Sequence, residues 1–177
     1  MKLTTTRLEL VAATPELLRA ELEGPPALAR LLAVPVPGVW PPPLNSTETV
    51  EYTLRFLEGG ADRAGWMTWY FLLRQDRTLV GEGGYCGLPE GGRVEVGYSL
   101  LEAHQRRGYA TEAVRALVDR AFAHPDIHTV VAHTLPGLAP SIRVLERLGF
   151  RLVGPGAEEG TIRYALDTSG PPSSGRR

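Results

Sequence analysis

Val94-Glu95-Val96-Gly97-Tyr98-Ser99-Leu100-Leu101, then Gln105-Arg106-Arg107-Gly108-Tyr109-Ala110, then a strongly patterned helix: this stretch decides the fold. The first run alternates and reads as a strand. The second reads as a turn rich in donors, and the helix after it begins with an exposed first turn. Such an order suits an anionic ligand. The first N–H groups of a helix have no partner within it and carry partial positive charge. Gly108 removes the side chain where a phosphate must approach the backbone, and Arg106 and Arg107 add full charges. The spacing is not that of the common nucleotide loops. There is no G-x-x-x-x-G-K-[ST] string, and the turn has one glycine, not the three of a dinucleotide fingerprint. An ordinary strand–turn–helix with a basic, solvated cap is the competing reading.

The turn Gln105–Ala110 fits the pattern [Q/R]-x-x-G-x-[G/A]. At this point the chain resembles the GNAT superfamily of acyl-CoA-dependent N-acyltransferases. Downstream, Ser141-Ile142-Arg143-Val144-Leu145-Glu146-Arg147-Leu148-Gly149-Phe150 looks like that family's late helix with its Leu-Gly-Phe end, and Thr6–Leu10 looks like its opening strand. The branch it most resembles is the RimJ/RimL type, the ribosomal-protein N-terminal acetyltransferases. The resemblance spans residues 5–168 and is strongest over 94–153. It implies an α+β fold of the GNAT type. The central sheet is then mixed, mostly antiparallel, of about seven strands, splayed into a V-shaped cleft and flanked by helices. It also implies acetyl-CoA as co-substrate. Its pyrophosphate would be gripped by Gln105, Arg106, Arg107, Gly108, Tyr109, Ala110 and Thr111. Its pantetheine arm would pair with the strand at Ser99, Leu100 and Leu101. The acceptor amine would enter from the opposite side.

Composition bounds the rest. The 177 residues are enough for one domain with a real core, expected over residues 1–168 with a flexible tail after it. A formal charge of −1 gives no general surface for nucleic acid or membrane. No apolar run approaches the roughly 20 residues that span a bilayer. No basic-then-apolar leader is visible, so a cytoplasmic protein is expected, monomer or homodimer. The single Cys86 allows no internal disulfide and reads as a buried strand residue. His124, His128 and His133 lack a metal-binding spacing, and no metal is expected.

Along the chain, Leu8–Ala12 alternates as a strand, and Thr14-Pro15 starts a helix as N-cap and first position. Pro25–Leu32 forms a short second helix. Residues 35–43 form a proline-rich loop carrying Trp40, whose exposure there would point to a role in the acceptor pocket. Trp66, Trp69, Tyr70 and Tyr85 read as core or as pocket lining. Asn45 or Ser46 caps a helix over Thr47–Leu57. Strands follow at Met67–Arg74, Thr78–Cys86 and Arg93–Leu101. The helix from Tyr109 to Ala123 repeats its apolar residues with helical spacing. A strand at His128–His133, a helix at Pro140–Leu148, and strands at Arg151–Val153 and Thr161–Leu166 complete the pattern.

Acetyl transfer to an amine needs the amine neutral. Free α-amines titrate near 8 and lysine amines near 10.4, so a base is useful. Glu95 is the candidate base: alternation puts it on one face of its strand with Gly97 and Ser99, opposite Val94, Val96 and Tyr98. It matches a strand glutamate that several members of the family use. It reads equally as a solvated carboxylate or half of an ion pair. Glu82, one strand earlier, is the reserve. Ser141 is placed by the resemblance near the cofactor sulfur, and it also reads as the first residue of its helix. The family's frequent tyrosine, four residues before Gly-Phe, is here Leu145, and the branch's asparagine three residues before the serine is Leu138. The resemblance therefore implies an N-acetyltransferase acting on a protein N-terminus or a small-molecule amine by direct attack in a ternary complex. The alternative is a weak or inactive acyl-CoA-binding protein of the same fold.

Overall fold

The computed structural model describes residues 1–43 and 45–168; the tail expected to be flexible lies outside them. Its strands are β1 (Lys2–Thr4), β2 (Leu8–Ala12), β3 (Thr68–Leu73), β4 (Leu79–Tyr85), β5 (Arg93–Leu100), β6 (Thr129–Thr134), β7 (Arg151–Pro155) and β8 (Ile162–Asp167). They form one eight-stranded sheet in the order β1-β2-β3-β4-β5-β6-β8-β7. Every neighbouring pair is antiparallel except β5 and β6, which run parallel. The eighth strand, beyond the seven expected, is β1. It has three residues in an exposed–intermediate–exposed pattern, too short to leave an alternation signal.

The helices are α1 (Pro15–Glu23), α2 (Pro25–Leu32), α3 (Thr47–Glu58), α4 (Tyr109–Phe122) and α5 (Ala139–Arg147). Their starts follow local chemistry. Thr14 Oγ1 accepts from Leu17 N at 3.4 Å with Pro15 next in sequence, and Ser46 Oγ accepts from Thr49 N at 3.4 Å. Each sheet face then takes its own layer. α4 buries Ala113, Val114, Leu117, Val118 and Ala121 as one apolar stripe. With Leu145 of α5 and Leu148 at its C-cap, that stripe covers Phe71, Val80, Val94, Val96 and Val130 of the sheet. On the opposite face Leu17, Leu18, Leu28, Val50 and Leu57 of α1–α3 pack on Tyr70, Leu72 and Leu79.

Two expectations are corrected. Trp40 is not exposed. It retains 7% of its accessible surface, its indole N–H donates to Glu21 Oε1 at 2.6 Å, and its ring lies 6.2 Å from that of Tyr70. The proline-rich loop folds back over α1 and gives the indole both an apolar bed and a polar partner. Cys86 is exposed, because β4 ends one residue before it.

Candidate active site

β5 pairs with β6 only over Arg93, Val94 and Glu95, whereas its register with β4 continues from Val96 to Leu100. Past Glu95 the two parallel strands therefore part, and the sheet splays. A cleft of about 720 Å³ opens along the free edge of β5. Its walls are Tyr98, Ser99 and Leu100 on one side and α5 from Leu138 to Arg147 on the other. The start of α4 closes one end. Among the described residues lining it are Arg106, Arg143 and Arg147 and no carboxylate. In a chain with a formal charge of −1, so one-sided a lining favours an anion.

Local geometry builds the anion-facing end. Gly108 caps α4 with φ 81° and ψ 3°, a left-handed conformation that favours glycine. The first helical hydrogen bond of α4 runs from Glu112 N to Gly108 O at 3.1 Å. The N–H groups of Tyr109, Ala110 and Thr111 precede it and have no acceptor within the helix. A Cβ on Gly108 would come within 3.3 Å of the Arg7 guanidinium. Gln105 ties the turn to the strand by donating from Nε2 to Leu100 O at 3.1 Å.

Glu112 braces the same turn from behind. Its Oε1 accepts from Thr5 Oγ1 at 2.6 Å and Arg7 N at 2.7 Å, and its Oε2 from Arg7 Nε at 2.7 Å. Arg7 also donates to Arg107 O at 2.9 Å and stacks on the Tyr109 ring. Burial works to raise the Glu112 pKa, but the Thr5 and Arg7 donors outweigh it and hold the carboxyl below its usual range.

Of the residues expected to bind cofactor, Ser99, Leu100, Gln105, Arg106, Gly108, Tyr109, Ala110 and Thr111 line the cleft. Leu101 packs its side chain in the core under α1–α3, and Arg107 meets Arg7 through its carbonyl. Ser99 Oγ donates to Pro43 O at 2.5 Å. Ser141 lies in the first turn of α5 and faces the cleft, where its Oγ is 3.1 Å from the Tyr98 hydroxyl. The Tyr98 hydroxyl is also 3.2 Å from Ser141 O. Burial pushes the Tyr98 phenol up to about 12, against the Ser141 hydrogen bond, so it remains a donor at neutral pH. Leu145, at the position of the family's tyrosine, is fully buried.

The two candidate bases sit in different surroundings. Glu95 closes the vertex of the splay with its side chain 35% exposed, and His133 Nδ1 lies 3.0 Å from its Oε1. Glu82 pairs in register with Ser99 but is only 5% exposed. Asn45 meets its Oε1, and among the described residues its Oε2 is buried without a partner. Burial first, and then the nearby Glu21 carboxyl, pushes the Glu82 pKa well above the usual carboxylate range. Glu21 accepts from Trp40 and from Tyr70 O–H at 2.6 Å each.

Sequence reasoning passed over four cleft or vertex residues. Alternation puts Tyr98 with Val94 and Val96 on the face opposite Glu95, and its hydroxyl reaches past the core to Ser141. Arg143 and Arg147 carried a readable signal, two cations four residues apart on one helix face. His133 was weighed only as a metal ligand. Its meeting with Glu95 depends on the parallel register of β5 and β6, which spacing does not reveal.

The domain model of the GNAT acetyltransferases matches residues 7–151. The chain is 29% identical over 159 residues to the uncharacterised N-acetyltransferase YjdG of Bacillus subtilis (strain 168), covering 88% of this chain and 93% of that protein. The ribosomal-protein-S5-alanine acetyltransferase from Vibrio fischeri has a similar fold, with a TM-score of 0.66 at 16% identity over 96% of this chain and 97% of that one. So does RimL, a ribosomal L7/L12 alpha-N-protein acetyltransferase in complex with coenzyme A, with a TM-score of 0.66 at 21% identity over 94% and 98%. The splayed sheet, the donor-lined start of α4 and the match over residues 7–151 lead to one conclusion: the chain belongs to the GNAT family of acetyltransferases.

Proposed function

We propose that this acetyltransferase moves the acetyl group of acetyl-CoA to a primary amine, a protein N-terminus or a small-molecule amine, by direct attack in a ternary complex. One observation carries this reading. The cleft at the splay is lined by three arginines and the start of α4 without a carboxylate. That donor set fits a diphosphate. Arg106, Arg143, Arg147 and the N–H groups of Tyr109, Ala110 and Thr111 would hold it, and the edge of β5 turned away from β4 beside Ser99 and Leu100 would take the pantetheine amides. Acetyl-CoA bound there supplies the acyl group already activated as a thioester.

The chain's own groups handle protons. Glu95, exposed at the vertex, takes a proton from the acceptor ammonium and leaves a neutral amine. Glu82 is less suited, being enclosed between the sheet and α1–α3 with 5% exposure. Tyr98 and Ser141 present a hydroxyl pair on the cleft wall, a donor for the sulfur that leaves. An acyl-CoA-binding protein without turnover is the second reading, favoured by the core leucine at position 145 and by Leu138. Thiol release in the presence of acetyl-CoA and a panel of peptides, amino acids and polyamines separates the two. The expected result is release with at least one amine, and a rate lowered on the order of a hundredfold in Glu95→Gln with unchanged cofactor affinity. Tight acetyl-CoA binding with no amine-dependent release would leave the binding protein.

A further inference from the structure

At the vertex of the splay, β6 contributes one ionisable side chain to the face that carries Glu95. Thr129, Val131 and His133 share that half-buried face, while Val130, Ala132 and Thr134 point into the core. Glu95 is in register with Val131, so His133 stands two residues beyond the last paired residue of the parallel strands. Its imidazole leans back across the opening, and Nδ1 lies 3.0 Å from Glu95 Oε1. His133 is the more enclosed of the two, 17% exposed against 35% for Glu95. Among the described residues its Nε2 is buried without a partner, and so is Nε of Arg163, the residue in register with it on β8. Among the described residues, the exposed pairs Lys2–Glu9, Arg19–Glu58 and Arg77–Glu9 have no such orphaned nitrogen behind them.

We infer that His133 is the positioning partner of Glu95: it holds Oε1 across the vertex so that the more exposed carboxylate faces the acceptor amine. This rests on the proposed role of Glu95 as base. The proton step balances within the pair. The acceptor ammonium gives one proton to the Glu95 carboxylate, which becomes a neutral acid, and the proton passes from there to water. His133 takes no proton in the transfer. Without its contact the carboxylate swings on its flexible stem, and the reaction loses orientation while the cofactor grip is untouched.

Three variants test the inference, each purified as the full chain and titrated with acetyl-CoA before assay. His133→Ala lowers kcat roughly tenfold to a hundredfold, with the acceptor KM and acetyl-CoA affinity unchanged. His133→Asn, whose amide puts an N–H near the place of Nδ1, restores most of that loss. A wild-type kcat in His133→Ala, or an asparagine variant no better than alanine, overturns the assignment. A readout without turnover runs beside these. The imidazole nitrogen resonances of His133 in the free protein show Nδ1 protonated, and they shift in Glu95→Ala. Resonances unmoved by Glu95→Ala also overturn it. Failure of the acetyltransferase reading has a different signature, namely a wild-type protein that binds no acetyl-CoA while its His133 resonances still respond to Glu95→Ala.

Discussion

Tyr98 reaches from β5 to Ser141 on α5, so one hydrogen-bonded pair spans the cleft wall where the family's usual tyrosine position is occupied by a buried leucine. Tyr98→Phe keeps the ring in its packing and removes only the hydroxyl. It lowers kcat roughly tenfold at unchanged acetyl-CoA affinity, measured by steady-state kinetics beside a binding titration. Glu82 acts on stability instead. Its pKa in the fold is raised, so between the ordinary carboxylate value and the raised one the native state binds more protons than the unfolded state. Stability therefore falls as pH rises through that window. Glu82→Gln keeps an acceptor for Asn45 and removes the titration. Urea unfolding finds the variant more stable than wild type above pH 5 by a margin that widens with pH, and equal to it in acid.

The start of α4 depends on an element distant in sequence. The turn between β1 and β2 is pinned to it by Thr5, Arg7 and Glu112. Removing those acceptors with Glu112→Ala costs about 2 kcal/mol of unfolding free energy, as charged hydrogen bonds do, and denaturant titration measures it. Because the Glu112 pKa is lowered in the fold, this contribution is present above the ordinary carboxylate value and disappears as pH falls through the lowered one. Most elements were legible in the sequence because each has its own signal. Thr14-Pro15 and Ser46 mark helix starts, α4 repeats its apolar face, and Gly91-Gly92 separates β4 from β5. What stayed hidden needed tertiary contact. β1 is too short to alternate, and Trp40 is buried only because α1 offers it Glu21. The site divides in the same way. The Gln105–Ala110 turn is local, whereas Tyr98–Ser141 joins a strand to a helix 43 residues away and Glu95–His133 joins two strands far apart in sequence.

Across the whole molecule, two apolar layers clamp one sheet, and the only parallel junction in that sheet is where it opens. In the proposed reaction, cofactor and acceptor would meet through the sheet from opposite faces, with the hydroxyl pair on the cleft side and the Glu95–His133 pair at the vertex. The basic lining of the cleft, set against a chain of formal charge −1, is a local field rather than a property of the whole surface. Everything in this account depends on that cleft taking acetyl-CoA. The direct measurement is a calorimetric titration of the wild type and of Gly108→Glu with acetyl-CoA. Glutamate at position 108 puts bulk and negative charge at a left-handed backbone position on the cleft. The wild type is expected to bind at one site in the micromolar range and the variant to give no measurable heat. Equal affinity in the two proteins, or no binding in the wild type, would contradict it.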